Sequence, residues 1–187
     1  MARVLVPLAQ GCEELEAVSI IDLLRRAGIE VVAAGLTDGA VTCSRGVVLV
    51  PDTSLDKVLG DDFDMIVLPG GLPGADYLDE DVRIQRMLKR MAEQGKYTAA
   101  ICAAPKVLAS AGLLQGKQAT SYPGVIDAMQ LEDTRYVDDR AVVVDGKVIT
   151  SRGPGTAMDF ALELIEILVG SEQRNAVEAS LMRPVIR

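Results

Sequence analysis

Tyr97-Thr98-Ala99-Ala100-Ile101-Cys102-Ala103-Ala104-Pro105 holds a thiol between a buried apolar run and a proline. Tyr97 to Ile101 reads as a strand that runs straight into Cys102. Ala103 to Ala111 reads as a helix with Pro105 in its first turn, where a missing N–H costs nothing. A tight strand-to-helix turn throws the side chain at position 102 out at the top of a sheet, as in a nucleophile elbow. The free N–H groups and positive end of the following helix favour a thiolate. Ala103 and Ala104 are small enough to permit the close turn. A small buried cysteine with no reactive role fits the same spacing.

Working outward, apolar runs alternate with helical patterns. Arg3–Leu8, Ile29–Gly35 and Asp64–Leu68 read as buried strands. Val41–Cys43 and Val47–Val50 flank Ser44-Arg45-Gly46 as a short hairpin, and Ala141–Val144 and Lys147–Thr150 flank Asp145-Gly146 as another. Helical spacing covers Glu13–Ala27, Asp81–Gln94, Thr156–Val169 and Ser171–Leu181. Gly28 and Gly95 are placed to end the first two of these. With no linker or repeat, the order predicts one α/β domain over 1–187, a doubly wound, mostly parallel sheet with helices on both faces. Ligands in such sheets bind beyond the carboxyl ends of the strands. Cys102, Gly70-Gly71, Gly11 and Ser151-Arg152-Gly153 all fall at such ends.

The composition narrows the chemistry. Trp is absent and Phe and Tyr total six among 187 residues, so the core is aliphatic. A net charge of -8 argues against a grip on nucleic acid or an anionic membrane. No apolar run is long enough to span a bilayer, and the N-terminus reads as a strand rather than a signal peptide. Cys12, Cys43 and Cys102 form no disulfide framework, which suits a reducing cytoplasm. The count of zero histidines is the most restrictive. It leaves no Cys-His or Ser-His dyad within the chain and makes a metal site improbable. No cofactor is expected.

Around Cys102, the glycines of Pro69-Gly70-Gly71 let backbone approach a reacting atom. Their N–H groups, with that of Ala103, are suited to an oxyanion hole. Glu13, Glu14 and Glu16 open the first helix, where acidic residues are favoured on dipole grounds alone. Spacing does not choose among them. Cys12 and Cys43 read as small packing residues.

Glu13-Glu14-Leu15-Glu16, Pro69-Gly70-Gly71, Ala100-Ile101-Cys102-Ala103-Ala104-Pro105 and Thr150-Ser151-Arg152-Gly153-Pro154-Gly155-Thr156 resemble, in this order and over nearly the whole chain, the motifs of the ThiJ/PfpI superfamily. The nearest likeness is to the branch of the parkinsonism-associated deglycase and its bacterial oxidative-stress homologues. The resemblance implies a flavodoxin-like homodimer with Cys102 as nucleophile and Glu16 as a protonated carboxyl donating to its thiolate. It implies an oxyanion pocket from the backbone of Gly71 and Ala103, with Gly70, Tyr122 and Pro154 lining the site. Asp22, Arg26 and Arg45 match positions near the subunit contact. The chain departs from the family at Ala119-Thr120-Ser121-Tyr122-Pro123, where many members carry a histidine in place of Tyr122. A phenol is protonated at neutral pH and makes a poor base, which weakens proteolysis or amide transfer as a function.

The expected function is therefore cysteine-dependent removal of early glycation adducts, or conversion of methylglyoxal and glyoxal to hydroxy acids. Its partners are small carbonyl compounds or glycated protein side chains. The alternative is a redox sensor and chaperone that binds client proteins and whose Cys102 is oxidised to the sulfinate. Both readings expect Cys102 to titrate below an ordinary thiol.

Overall fold

The structure is a computed structural model that describes residues 1–183; the last four residues of the expected 1–187 domain lie outside the described residues. In chain order the elements are β1 (Arg3–Leu8), α1 (Glu14–Arg26), β2 (Glu30–Gly35), β3 (Val41–Thr42), β4 (Val48–Leu49), β5 (Thr53–Ser54), β6 (Met65–Leu68), α2 (Gly74–Glu80), α3 (Val82–Glu93), β7 (Tyr97–Ile101), α4 (Pro105–Ser110), β8 (Gln118–Ala119), β9 (Arg135–Tyr136), β10 (Val142–Asp145), β11 (Val148–Ser151), α5 (Ala157–Val169) and α6 (Ser171–Ser180).

Seven strands form the main sheet in the order β10-β11-β7-β6-β1-β2-β5. All its pairings are parallel except β10 with β11. Successive strand residues point to opposite faces. Val4, Val6 and Leu8 of β1 therefore join one apolar cluster, with Met65, Val67, Ala99 and Ile101, under α1 and α5. Leu5, Ile66, Leu68 and Ala100 join the other, under α3 and α4. Both faces are dry, which is why these strands read as unbroken apolar runs. Burying each Leu or Ile contributes roughly 1.5–3 kcal/mol. Phe160 on α5, an aromatic core residue, is fully buried. No described helix is long and apolar enough to cross a membrane.

The doubly wound sheet matches expectation, and the differences are local. Two-residue β5 extends the sheet edge beside β2, and β8 pairs in parallel with β9 away from the main sheet. Such pairings depend on distant chain segments and leave no periodicity in two residues. The short α2 lies in a stretch that carries no apolar repeat. The helix after Cys102 starts at Pro105 rather than Ala103 and has six residues, because Ala103 and Ala104 are consumed by the turn out of β7.

Candidate active site around Cys102

β7 delivers Cys102 into a backbone conformation that few side chains adopt, with φ 64°. Hydrogen bonds from three directions hold it there. Its N–H donates to Ser151 O at 3.0 Å, Tyr122 N–H donates to its carbonyl at 2.9 Å, and Ala104 N–H donates to Ile101 O at 3.0 Å. Gly70 packs behind it: a Cβ on Gly70 would lie 2.7 Å from Cys102 Cβ and 2.9 Å from Ala103 N. Gly71 beside it has φ +88°, a conformation glycine takes without strain. The thiol is 8% exposed.

The three glutamates at the start of α1 divide the work that the sequence left open. Glu13 caps the helix, its Oε2 accepting Glu16 N–H at 2.7 Å. Glu14 reaches the β3–β4 turn and accepts from Ser44 Oγ at 3.0 Å and Arg45 N–H at 2.9 Å. Burial works against its charge, but these donors hold it below the usual carboxylate range. Glu16 is 0% exposed and faces Cys102. Its Oε2 accepts Gly70 N–H at 2.8 Å, while Oε1 has no conventional hydrogen-bond partner. The carboxyl lies close enough to the Cys102 thiol for each to shift the other's titration. A proton on Oε1 would satisfy both.

The electrostatics correct the expectation of a simple low-pKa thiol. Burial above all, then the charge of Glu16, pushes Cys102 up to about 12; the N–H groups of Gly71 and Ala103 pull the other way. Burial likewise pushes Glu16 up to about 7, against the bond from Gly70 N–H. The two groups compete for one negative charge. The pair loses a first proton near neutrality and resists losing a second. With the charge on sulfur, Glu16 is the protonated donor, and Gly71 and Ala103 supply two backbone donors. The helix dipole contributes less than expected, since α4 is short and starts beyond the turn.

Cys102 opens into a pocket of about 410 Å³ lined by Glu13, Ser44, Arg45, Gly71, Cys102 and Tyr122, with Leu72, Ala103, Val125 and Pro154 completing the wall. Tyr122 and Pro154 are part of this pocket's wall, and Gly70 packs behind Cys102. The Tyr122 ring stands over Gly153, where a Cβ would come within 3.3 Å of Cδ2. Arg45 lies on the pocket wall, a position its assignment to the subunit contact did not foresee. Asp22 and Arg26 are elsewhere, paired with each other at 2.8 Å on α1. The sequence reading missed Ser44, Leu72 and Val125; the signals available were the hairpin that carries Ser44 and the Pro69-Gly70-Gly71 turn that precedes Leu72. Cys12 does not approach Cys102: its sulfur lies 3.6 Å from that of Cys43. Among the described residues no three Cys, Asp or Glu side chains cluster as a metal would need.

Comparison with known proteins gives a consistent result. The DJ-1/PfpI family profile matches residues 2–167. The Drosophila melanogaster protein dj-1beta is 49% identical over 179 residues, covering 95% of each chain. The Caenorhabditis elegans protein named glutathione-independent glyoxalase DJR-1.2 is 39% identical, covering 98% of this chain and 95% of that one. The solved structure of oxidized Toxoplasma gondii DJ-1 superposes with a TM-score of 0.93 at 44% identity, covering 99% of this chain and 100% of that one.

Proposed function

Because the chain belongs to the DJ-1/PfpI family, we propose that it destroys reactive carbonyl compounds, methylglyoxal and glyoxal or the adducts they form on protein side chains, through the Cys102 thiolate. The observation that carries this reading is the wholly buried Glu16, shifted to about 7, beside a thiol that opens into a pocket. A group that titrates near the working pH is suited to proton transfer in both directions.

The chemistry needs no external oxidant. The Cys102 sulfur adds to the aldehyde carbon, and the carbonyl oxygen takes a proton to give a hemithioacetal. As sulfur becomes bonded, the N–H groups of Gly71 and Ala103 are free to hold the oxygen. Glu16, now ionised, removes the C–H proton from the hemithioacetal carbon and returns it to the adjacent carbon. The first carbon is thereby oxidised and its neighbour reduced. Water then cleaves the thioester, releasing a hydroxy acid and the thiol. The net change is the addition of one water.

A second reading, that Cys102 is a redox sensor on a chaperone, is favoured by Cys12 lying against Cys43. A sulfenic acid at Cys102 then has no neighbouring thiol to trap it and proceeds to the sulfinate. One assay separates the readings: product formed from methylglyoxal in the absence of amines and added thiols. The wild type should yield lactate steadily and Cys102→Ser none. Protection of client proteins that survives Cys102→Ser, with no turnover in the wild type, would instead support the chaperone. We infer a cytoplasmic setting from three free thiols, which glutathione keeps reduced there.

The homodimer is proposed on the apolar face shared by α1 and the β3–β4 hairpin. Leu15, Val18, Val47, Val48 and Val50 are all exposed there, beside a depression lined by Ile21, Asp22 and Arg25. Contiguous apolar surface of this kind marks an interaction site. Sedimentation at micromolar concentration should show twice the 19.9 kDa chain mass. Val50 is 83% exposed, so Val50→Asp should leave the fold intact and shift the species toward monomer. A wild type that sediments only as monomer would remove the dimer.

A further inference from the structure

Two of the three thiols play no part in the carbonyl chemistry. The sulfurs of Cys12 and Cys43 lie 3.6 Å apart, in van der Waals contact, and both residues are buried. Cys12 sits in the loop after β1, and Cys43 directly follows β3. The backbone ties these segments together on either side of the sulfurs. Gly11 N–H donates to Thr42 O at 2.8 Å, and Ser44 N–H donates to Cys12 O at 2.8 Å. The Glu14 carboxylate fixes the next residues of the hairpin through Ser44 and Arg45. The two sulfurs thus meet between strands of chain already held in register, and they are separated by 31 positions in sequence.

We propose that Cys12 and Cys43 are a second redox site, which peroxide closes to a reversible disulfide within one chain, separately from the oxidation of Cys102. This goes beyond the carbonyl chemistry and does not depend on it. Cys43 is the attacking thiol. It is 5% exposed against 0% for Cys12, and the contact with Cys12 favours its thiolate. The Cys43 sulfur attacks the peroxide; an S–O bond forms, the O–O bond breaks and one water leaves. The Cys12 sulfur then attacks the sulfenic sulfur. An S–S bond forms, the S–O bond breaks, and the departing oxygen takes the Cys12 proton as a second water. The sulfurs must close from 3.6 Å to the ~2.05 Å of a disulfide.

Cys102 lines the pocket and neither sulfur of the pair does, so the pair reacts at a higher peroxide dose than the pocket cysteine. Its product differs too. The sulfinate at Cys102 is not reversed by thiols, whereas the disulfide is. The bridge would also staple one wall of the pocket, because Glu13 follows Cys12 and Ser44-Arg45 follow Cys43, and all three line it. Closing a loop of this length raises Tm by about 10 °C, from its usual effect on the unfolded chain and the size of the domain.

The test is a peroxide titration of the full chain, wild type and Cys102→Ser, followed by intact mass, non-reducing peptide maps and thermal unfolding. Both proteins should lose two hydrogens, the wild type in addition to the two oxygens it gains at Cys102, with the peptides carrying Cys12 and Cys43 joined within one chain. Tm should rise by about 10 °C and return with dithiothreitol. Cys43→Ala should abolish the loss and leave Cys12 as a free thiol. If Cys43→Ala does not fold, the peptide map of the Cys102→Ser protein decides alone. The proposal is overturned if Cys12 and Cys43 both stay titratable in denaturant at a dose well above that which consumes Cys102. It is also overturned if the bridge joins Cys102 or two separate chains.

Discussion

Glu16→Gln is expected to lower methylglyoxal turnover by about 10²–10⁴-fold, the usual worth of a positioned acid–base group, while making the protein more stable above neutral pH. The amide keeps the bond from Gly70 N–H and can still donate to sulfur, but it cannot take up or return a proton. The pH profile separates this role from a structural one. In the wild type, the rate should rise as the Cys102–Glu16 pair loses its first proton near 7 and then hold level, since the second proton is retained toward 12. In Glu16→Gln that limb should vanish, leaving a rise set by the thiol alone. The stability change follows from the same titration. Glu16 binds its proton more tightly folded than unfolded, so the folded state carries more protons between 4.5 and about 7. Stability is therefore lost as pH rises through that window. The loss is about 3 kcal/mol, at ~1.4 kcal/mol for each unit. Chemical unfolding at pH 5 and pH 8 should show wild type and variant alike at the first and the variant ahead at the second. An unchanged rate in Glu16→Gln would take the carboxyl out of the mechanism.

Gly70→Ala should damage the fold and the site together. The added Cβ would meet Ile101 O at 2.8 Å, Ala103 N at 2.9 Å and Cys102 Cβ at 2.7 Å. All are backbone or backbone-linked atoms, so the strand end itself must move. Forcing an extra methyl into packed surroundings costs about 1–3 kcal/mol. Moving the nucleophile by even ~1 Å costs about 100-fold in rate. Alkylation of Cys102 by iodoacetamide, beside a denaturation curve, measures both. Gly60→Ala is the control, since nothing lies within 4 Å of its Cβ and it should stay within about 0.5 kcal/mol of wild type. Normal stability and normal alkylation in Gly70→Ala would mean that the turn tolerates displacement.

The parts of this protein that could be read from its sequence are those whose environment is uniform. β1, β6 and β7 are covered on both faces, so each is an apolar run with turn residues at its end. α3 was legible from Ile84, Met87, Leu88 and Met91, which are all buried. Glu13, Glu14 and Glu16 were not separable, because helix capping, hairpin anchoring and thiol contact all accept a carboxylate at a helix start. Only the fold decides which carboxylate meets which donor. Arg45 shows the same limit. Its hairpin was evident, but the direction in which the turn folds over Cys102 depends on Glu14, 31 residues earlier. The low thiol pKa was misjudged because spacing shows a helix start and not how deeply the sulfur is buried.

The bonds that hold Cys102 also date the moment at which its turn is complete. Its strand pairs with β11 through Ile101 and Ser151, its N–H is taken by Ser151, and its carbonyl is taken by Tyr122 N–H. Those partners are synthesised well after it. A nascent chain that has emerged only as far as α4 carries the thiol but lacks the two segments that lock its left-handed turn. Truncated products of translation therefore lack the bonds that shape this turn. The turn at Cys102 is complete only when the last strand slots into the sheet, so the geometry that the proposed chemistry requires is absent while the polypeptide is still leaving the ribosome.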